Sequence, residues 1–401
     1  MSSCHRIVLL LFACCVVVAG VKNVLAAEEG KTGKRHNVLT KTELADGWLL
    51  LFDGKTTFGW KANGKADWRV ENGAIVVTSG KKSLLNTTTQ FADYLLKVDF
   101  RSAKETNSGI FLRTAASPKN PAVDCYELNI ADTGTNPFPT GGFVGRKKAE
   151  GRHDTTEWQS FEVTARGDRF VVKIDGRQVL DYTDPKPLGR GHIGLQLNSG
   201  KVEFRNIKIK PLNLASIFNG KDLTGWKTYP NMKSVFSVNE AGHLNVKDGR
   251  GQLETQKSYA DFVLQLECFA NGKHLNSGIF FRCIPGQTMN GYECQIQNGY
   301  KDGDRSKPID CGTGGFYRRQ NARAVMADDF KWFSMTLIAD GPHMAAWVNG
   351  YPVSDWTDPR KPHDNPRRGL RTAAGTIMIQ GHDPTTDLSF RKLQAAETPA
   401  R

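Results

Sequence analysis

The sequence lacks the short motifs that mark several large enzyme classes. It has no phosphate-binding loop of the G-x-x-x-x-G-K-[ST] type, no H-E-x-x-H zinc motif and no G-x-S-x-G nucleophile elbow. It also lacks a segment with a long helical period, and beyond the first 26 residues no apolar run could span a membrane. These absences argue against P-loop nucleotide hydrolysis, zincin and α/β-hydrolase chemistry, helical bundles and multi-span membrane proteins.

Positive charge exceeds negative charge, but it is not concentrated in one place. The 401 residues include 54 Lys and Arg against 41 Asp and Glu, which gives a formal net charge of +13. The excess is spread along the chain, and only Arg146-Lys147-Lys148 and Arg367-Arg368 form short basic runs. A nucleic-acid-binding protein usually gathers its charge on one stripe or arm, so we expect no nucleic-acid partner. The 40 glycines favour a turn-rich β protein.

The first 26 residues have the three parts of a secretory signal. A positive start at Arg6 is followed by an apolar stretch over residues 7–21 and by a small-residue site, Val24-Leu25-Ala26. We therefore expect export to the periplasm, the cell surface or the exterior, with no membrane span after cleavage. An uncleaved anchor is the alternative, and Leu11-Phe12-Ala13-Cys14 weakly resembles a lipoprotein box.

Few cysteines remain once the signal is set aside. None forms a C-x-x-C pair, so we expect neither a zinc site nor any other cofactor. An oxidising compartment permits one or two disulfides, with Cys283–Cys294 as the candidate pair, and buried inert thiols are the alternative. The five cysteines are Cys125, Cys268, Cys283, Cys294 and Cys311.

An internal duplication organises the chain. Several motifs recur in the same order at a nearly constant offset, and a repeat this long indicates two whole domains in tandem. The matching pairs are Phe52-Asp53-Gly54-Lys55 with Phe218-Asn219-Gly220-Lys221, Asn107–Arg113 with Asn276–Arg282, Tyr126-Glu127 with Tyr292-Glu293, Gly141-Gly142-Phe143 with Gly314-Gly315-Phe316, and Asp181–Pro185 with Asp355–Pro359.

Each copy is predicted to be a β-sandwich. Residues 94–100 and 262–268 alternate apolar and polar side chains, as half-buried strands do. Asp175-Gly176 and Asn349-Gly350 follow such runs and predict tight hairpins. We predict an all-β chain of two jelly-roll sandwiches that dock against each other. The predicted segments are a signal (1–26), a linker (27–42), two sandwiches (43–212 and 213–394) and a tail (395–401).

Taken together, these motifs resemble the 3-keto-disaccharide hydrolase domain family, which has a concanavalin A-like jelly-roll fold. The resemblance covers residues 50–209 with Asn107–Arg113, Tyr126–Asp132 and Gly141-Gly142-Phe143, and more weakly residues 217–393. It implies work on carbohydrates, and specifically cleavage of glycosides whose sugar has been oxidised at C3. Asp132 matches an acid that is frequent in the family pattern.

Strand alternation groups the candidate site residues on one face of a sheet. In the first copy Arg113, Glu127 and Asn129 would form a polar patch suited to sugar hydroxyls, although a structural Arg113–Glu127 ion pair is the alternative. The candidate catalytic residues are Glu127, Asp132, Arg113 and His153, and the candidate substrate-binding residues are Asn107, Asn129, Arg146, Arg282, Glu293, Gln295 and Arg318. Trp60 and Trp226 are expected to pack in the core rather than to stack on sugars.

A 3-keto group suggests the mechanism, because it acidifies the proton at C2. A base, Glu127 or Asp132, would remove that proton, Arg113 or Arg146 would stabilise the enolate, and His153 would protonate the leaving group. Water would then add to the resulting enone. The competing hypotheses are hydrolysis by two carboxylates and a pair of carbohydrate-binding modules without catalysis.

Overall fold

The computed structural model describes residues 35–131 and 136–400. The predicted signal peptide, part of the predicted linker, Asp132 and Arg401 lie outside these residues. Among the described residues, no helix is both long enough and apolar enough to cross a membrane.

The first half consists of strands with two very short helices. The helices are α1 (Lys41–Ala45) and α2 (Pro121–Asp124). The strands are β1 (Leu49–Leu50), β2 (Trp60–Asn63), β3 (Arg69–Glu71), β4 (Ala74–Val77), β5 (Ser83–Thr87), β6 (Tyr94–Ser102), β7 (Asn107–Thr114), β8 (Tyr126–Ala131), β9 (Gln159–Arg166), β10 (Arg169–Ile174), β11 (Arg177–Thr183), β12 (His192–Ser199) and β13 (Val202–Pro211).

The second half repeats this order of strands. Its strands are β14 (Ala215–Ser216), β15 (Trp226–Lys227), β16 (Val235–Val238), β17 (Leu244–Lys247), β18 (Gly251–Tyr259), β19 (Phe262–Ala270), β20 (Ser277–Cys283), β21 (Tyr292–Ile296), β22 (Trp332–Asp340), β23 (His343–Val348), β24 (Tyr351–Thr357), β25 (Gly375–Gly381) and β26 (Asp387–Glu397).

Each half contains an eight-stranded and a five-stranded antiparallel sheet. In the first half the large sheet runs β11-β10-β9-β6-β13-β4-β3, with β1 beside β13, and the small sheet runs β2-β5-β12-β7-β8. The second half has the equivalent orders β24-β23-β22-β19-β26-β17-β16, with β14 beside β26, and β15-β18-β25-β20-β21. The all-β sandwich prediction is therefore confirmed.

Alternating polarity forms the strands as predicted. Along β6 every second side chain is buried, from Tyr94 to Ser102, because one face of the large sheet covers the core. The predicted hairpins also form. Asp175 and Gly176 have φ of 49° and 81°, and Asn349 and Gly350 have 50° and 69°, the left-handed pair that a two-residue hairpin with the right twist requires.

The tryptophans after the repeated glycine turns belong to the core, as predicted. Trp60 is 8% exposed and Trp226 is 5% exposed. The indole nitrogen of Trp60 donates to the Leu51 carbonyl, and that of Trp226 donates to the Ile217 carbonyl at 2.9 Å. Each indole therefore ties the first turn of its half to the sandwich.

The candidate Cys283–Cys294 disulfide does not form, and the alternative of buried thiols is the one the structure shows. All five described cysteines are buried free thiols. In the pairing of β20 with β21, Cys294 lies opposite Ile279 and faces the main core, whereas Cys283 lies beyond the last pair and packs with Phe280 and Met378 on the other face. A disulfide needs the two Cβ atoms within about 4.5 Å, which side chains on opposite faces of a sheet cannot reach.

The two halves touch through both apolar and polar contacts. The Leu50 amide donates to the Gly350 carbonyl at 2.8 Å, and the Trp347 indole donates to the Leu50 carbonyl at 2.9 Å. Arg323 pairs with Asp53 at 2.6 Å. Arg190 reaches Asp261 at 2.7 Å in the second half. These contacts place β1 of the first half and loops of that half against the second half.

Candidate functional site

The outer face of the small sheet in the first half carries an open groove. The face turned inward is apolar, with Ile110, Leu128 and Leu195 fully buried. The alternate residues point outward and line a groove of about 650 Å³. Its lining includes Asn63, Lys82, Asn107, Phe111, Glu127, Asn129, Phe138 and Gln196.

Strand register brings the polar groups of the groove together. Gly109 of β7 lies between Gln196 of β12 and Asn129 of β8. A Cβ atom on Gly109 would come within 3.4 Å of Glu127 Cγ and 3.5 Å of Gln196 Oε1. The missing side chain therefore lets Gln196 reach across the strand, where its Nε2 donates to Glu127 Oε1 at 2.9 Å.

Glu127 is a buried carboxylate that no arginine neutralises. It is 6% exposed, and burial raises its pKa, while the Gln196 hydrogen bond and the charge of Lys82 act in the opposite direction. Losing water disfavours the charged form of a carboxylate and makes it a stronger base near neutral pH. Glu127 on the groove floor is therefore suited to proton transfer.

The rest of the groove can bind a polar ring. Asn107 and Asn129, both predicted as substrate-binding residues, line it together with Asn63. Asn129 donates its Nδ2 to the Phe138 carbonyl, which orients its side-chain oxygen. Gln196 Oε1 is buried without a partner among the described residues. Amides on the walls and rings of Phe111 and Phe138 provide the mixed lining that sugars need.

The prediction that Arg113 shares this face with Glu127 is wrong. Arg113 has φ of 47°, and the register of β7 against β12 shifts between Phe111 and Thr114. This bulge interrupts the alternation of side chains and places the guanidinium 5.1 Å from the Phe170 ring of the large sheet. Arg113 is 1% exposed. It donates to the carbonyls of Ala92, Gly167 and Leu188 and to the Asp93 carboxylate, at 2.6–2.8 Å.

Arg282 repeats this arrangement in the second half and is likewise absent from any outer face. It has φ of 48° and is fully buried. Its guanidinium donates to Asp261 at 2.9 Å and to the carbonyls of Ala260, Gly341 and Arg371. Both arginines join loops to the sandwich, so neither is placed to contact substrate.

Arg146 also has a structural position. Its Nη1 lies 2.8 Å from Asp184 Oδ2, and its guanidinium stacks over the Tyr126 ring at 4.4 Å. Arg318, the other arginine predicted to bind substrate at this turn, is not the equivalent of Arg146. The turn bonds Phe143–Lys147 and Phe316–Gln320 coincide, so Arg319 is the equivalent of Arg146. Arg318, with φ of 57°, takes the left-handed place of Gly145.

His153 is not among the residues that line the groove. It belongs to the loop between β8 and β9, next to Thr155, whose carbonyl accepts from the Ser102 amide of the large sheet at 2.7 Å. The prediction that His153 protonates a leaving group at Glu127 therefore lacks geometric support. Asp132, which follows the last residue of β8, lies outside the described residues.

The corresponding face of the second half keeps its glutamate, which is half-buried, but apolar side chains occupy the positions beside it. Burial raises the pKa of Glu293 to about 7, with Asp310 adding to the effect and Arg367 and Arg318 opposing it. Gln295 donates to Asn276 at 2.8 Å and to Asp310 at 3.1 Å. The neighbouring positions hold an apolar cluster, at most 3% exposed, of Phe280, Cys283, Met289 and Met378.

One substitution explains much of this filling. The Gly194 position, which pairs with Asn86 and Phe111 in the first half, corresponds to Met378, which pairs with Glu254 and Phe280. Glycine places no side chain between Asn86 and Phe111, whereas the methionine side chain occupies that place and packs in the apolar cluster.

Sequence reasoning missed Gln196 and Lys82. Gln196 stands between Leu195 and Leu197 in a strand, so its alternation could have placed it on the outer face. Lys82 precedes β5 on an exposed turn, and no sequence signal distinguishes it from other surface lysines. Among the described residues, no group of three or more His, Cys, Asp or Glu side chains could hold a metal ion.

Comparison with known proteins gives one family for both halves. The profile of the 3-keto-alpha-glucoside-1,2-lyase-like domain matches residues 47–210 and again residues 213–395. A 3-keto-disaccharide hydrolase of Bacteroides thetaiotaomicron is 23% identical over 231 residues, which cover 42% of this chain and 80% of that protein.

Two solved structures resemble single halves of the chain. A candidate glycosyl hydrolase of Parabacteroides distasonis is 24% identical with a TM-score of 0.40, covering 45% of this chain and 100% of that chain. The carbohydrate-binding module CBM66 of Bacillus subtilis is 20% identical with a TM-score of 0.32, covering 38% and 95%.

Proposed function

The chain belongs to the family of 3-keto-alpha-glucoside-1,2-lyase-like domains, and from that premise we propose that it cleaves glycosides whose sugar carries a ketone at C3. The family is carbohydrate-active and glycosyl-hydrolase-like. The observation that carries the finer proposal is Glu127, a buried carboxylate without an arginine partner at the floor of the polar groove.

The groove suits elimination better than direct hydrolysis. Hydrolysis by a carboxylate pair needs two carboxyl groups about 5–9.5 Å apart across the glycosidic bond. Within the part of the chain that the structure describes, Glu127 is the one carboxylate lining the groove. Elimination next to a ketone needs a single base, because the ketone already acidifies the neighbouring C–H bond.

The proposed reaction has two steps. Glu127 takes the proton from C2, the electron pair of that C–H bond forms the enolate of the C3 ketone, and the C1–O bond then breaks. The departing oxygen takes the proton that Glu127 removed from C2, which returns Glu127 to its carboxylate form, and a C1–C2 double bond conjugated to the ketone remains. Water then adds across that bond, with its oxygen at C1 and a proton at C2, to give the free 3-keto sugar.

Three groups in the groove have separate roles in this proposed reaction. Glu127, kept basic by burial, is the base. Gln196 holds the Glu127 carboxylate through the 2.9 Å hydrogen bond. Lys82 lines the same groove and lowers the pKa of Glu127 through its charge, so its ammonium replaces Arg113 as the cation proposed to stabilise the enolate. Asp132, the alternative base, stays a prediction.

The experiment compares two matched variants. Purified protein is incubated with 3-keto-trehalose, 3-keto-lactose and the unoxidised sugars, and the released sugar is measured by chromatography. We expect turnover of a 3-keto substrate only, and we expect Glu127→Gln to lower kcat by about 10²–10⁴-fold. Glu293→Gln, the same change at the equivalent position of the second half, should leave kcat within about twofold, because that face is filled.

Other outcomes would contradict the proposal. Binding of the sugars without turnover would favour a pair of carbohydrate-binding modules. Equal losses in both glutamate variants would place the chemistry elsewhere. A folded Glu127→Gln protein, checked by circular dichroism, that keeps full activity would remove Glu127 as the base.

We also propose that the protein is exported, because its first 26 residues have the composition of a secretory signal. Expression of the full chain in a bacterial host followed by N-terminal sequencing tests this. A mature N-terminus at Ala27 in the periplasmic fraction is expected, and an intact Met1 in the cytoplasm would contradict it.

A further inference from the structure

A second polar pocket lies where the two halves meet and borders the Glu127 groove. It encloses about 430 Å³. The first half contributes Lys61, Asn86 and His192, and the second half contributes Asp340, His343 and Thr357. Asn63 lines both this pocket and the groove, so the two cavities meet at its side chain.

Strand register places the pocket and Glu127 on the same outer face. Asn86 of β5 lies beside Gly194 of β12, which lies beside Phe111 of β7, which lies beside Glu127 of β8. Adjacent strands are about 4.8 Å apart, so three steps separate Asn86 from Glu127 by about 14 Å. That distance is greater than one sugar ring spans, and it is within the reach of a short oligosaccharide.

The wall contributed by the second half is held in place. His343 Nε2 and Thr89 Oγ1 lie 3.2 Å apart, and Arg190 Nη2 lies 3.2 Å from Asp340 Oδ1. Thr88 bonds to Asp355 beside the pocket. Because these contacts cross from one half to the other, the shape of the pocket depends on both halves.

The lining matches a neutral polyhydroxyl ligand. Its polar side chains are amides, hydroxyls and imidazoles, together with one lysine, Lys61, and one carboxylate, Asp340, which is already paired with Arg190. Asn86 donates Nδ2 to the Ala116 carbonyl at 2.9 Å, and its Oδ1 is buried with no hydrogen-bond partner in the described ranges. A buried acceptor without a donor favours a ligand hydroxyl.

We propose that this interdomain pocket is a sugar subsite, which receives the far end of an oligosaccharide whose reactive 3-keto ring lies over Glu127. The inference rests on the function proposed above and narrows its preferred substrates to chains longer than a disaccharide. It also gives the second half a role, since that half builds one wall of the site instead of a second groove.

The test fills the pocket from the side of the second half. Thr357 is exposed and lines the pocket, so Thr357→Trp should occupy it. Thr183→Trp is the matched control, because Thr183 ends β11 as Thr357 ends β24 and does not line the pocket. Malto-, cello- and laminari-oligosaccharides of two to four units, oxidised at C3 of the non-reducing ring, are the substrates.

The unmodified protein should turn over three-unit substrates with a kcat/KM at least tenfold above that for two-unit substrates. Thr357→Trp should abolish this preference and leave two-unit turnover unchanged. Thr183→Trp should keep the preference for three-unit substrates. Lys61→Ala, which removes a donor without filling the pocket, should weaken the preference about threefold. Equal kcat/KM for both lengths in the unmodified protein, or an equal loss for both in Thr357→Trp, would overturn the subsite and leave the proposed reaction standing.

A binding measurement separates the two proposals. Titration calorimetry of the unoxidised trisaccharides into Glu127→Gln needs no turnover. If adding Thr357→Trp to Glu127→Gln weakens trisaccharide binding at least tenfold, the subsite is supported. That support holds even if the unmodified protein cleaves no 3-keto sugar, since the absence of cleavage would overturn only the proposed reaction. Unchanged trisaccharide affinity, or no measurable affinity for any trisaccharide in the panel, would overturn the subsite.

Discussion

The two halves share a scaffold and differ at the outer face of the small sheet. Tyr126 donates its hydroxyl to Asp184 at 2.7 Å, and Tyr292 donates to Asp358 at 2.8 Å. Arg113 has its equivalent in Arg282, with the same set of partners. These repeated polar clusters close the sandwich. What the halves share therefore marks the scaffold, and the site has to be sought where they differ.

The difference at the outer face is one of filling. The first half has Gly194 and an open groove, and the second has Met378 within an apolar cluster. Both halves keep a glutamate, Glu127 and Glu293, whose pKa is raised by burial. A raised pKa alone thus does not make a site, because the carboxylate also needs space for a ligand beside it.

The largest effect should come from the shared arginines. Replacing Arg113 or Arg282 by Met leaves a buried aspartate and several carbonyls without their donor, so we expect a loss of about 3–5 kcal/mol in the free energy of unfolding for either variant. Denaturant unfolding followed by fluorescence measures it. A stable Arg113→Met protein without activity would contradict the comparison, since it would make Arg113 a site residue in the first half only.

The next largest effects, on stability and on turnover, should come from exchanging the residues at the Gly194 position between the two halves. Met378→Gly leaves a cavity in the apolar cluster, and we expect it to lower the free energy of unfolding by about 2–5 kcal/mol without changing turnover. Gly194→Met should cover the groove and lower kcat/KM about tenfold or more.

Thermal unfolding and turnover measured on both variants test this exchange. If Gly194→Met kept full turnover, the open face would not be the reason that the first half differs from the second.

The effect of pH on stability should be smaller than the effects of those substitutions, and it should come from Glu293. Its folded pKa of about 7 lies above the ordinary value of 4.5, so the stability present below pH 4.5 is lost as the pH rises to about 7. The free energy of unfolding of Glu293→Gln, relative to that of the unmodified protein, should therefore rise by on the order of 2 kcal/mol between pH 4.5 and pH 7. Above pH 7 the difference should stay constant. Unfolding at pH 4.5, 6 and 8 measures the difference. A gain that grew as the pH fell would contradict the direction of the shift.

The smallest expected effect is that of reducing agents. Four of the five described thiols belong to the second half, yet all five are buried and free, and burial raises the pKa of Cys294 and of Cys125 to about 12. We expect no change in Tm on adding reductant and no reaction with a thiol reagent until the chain unfolds. A drop in Tm of several degrees would indicate a disulfide.

The site could be predicted only in part because alternation holds only along an undisturbed strand. Glu127 and Asn129 lie on β8, which has no bulge against β7, and both reach the groove as predicted. Arg113 lies two residues beyond Phe111, where β7 bulges against β12, and a single bulge reverses the direction of every side chain after it. Alternation could have placed Gln196 on the outer face, but its contact with Glu127 depends on the pairing of strands that are distant in sequence.

The sequence by itself determined the architecture, since hydrophobic period, turn residues and an ordered repeat are all local signals that specify strands, hairpins and two tandem sandwiches. Only the tertiary structure decided which half carries an open groove, which arginines serve the scaffold and which thiols stay apart. Those features depend on strand register and on what packs over a face, and both are set by contacts between residues far apart in the chain.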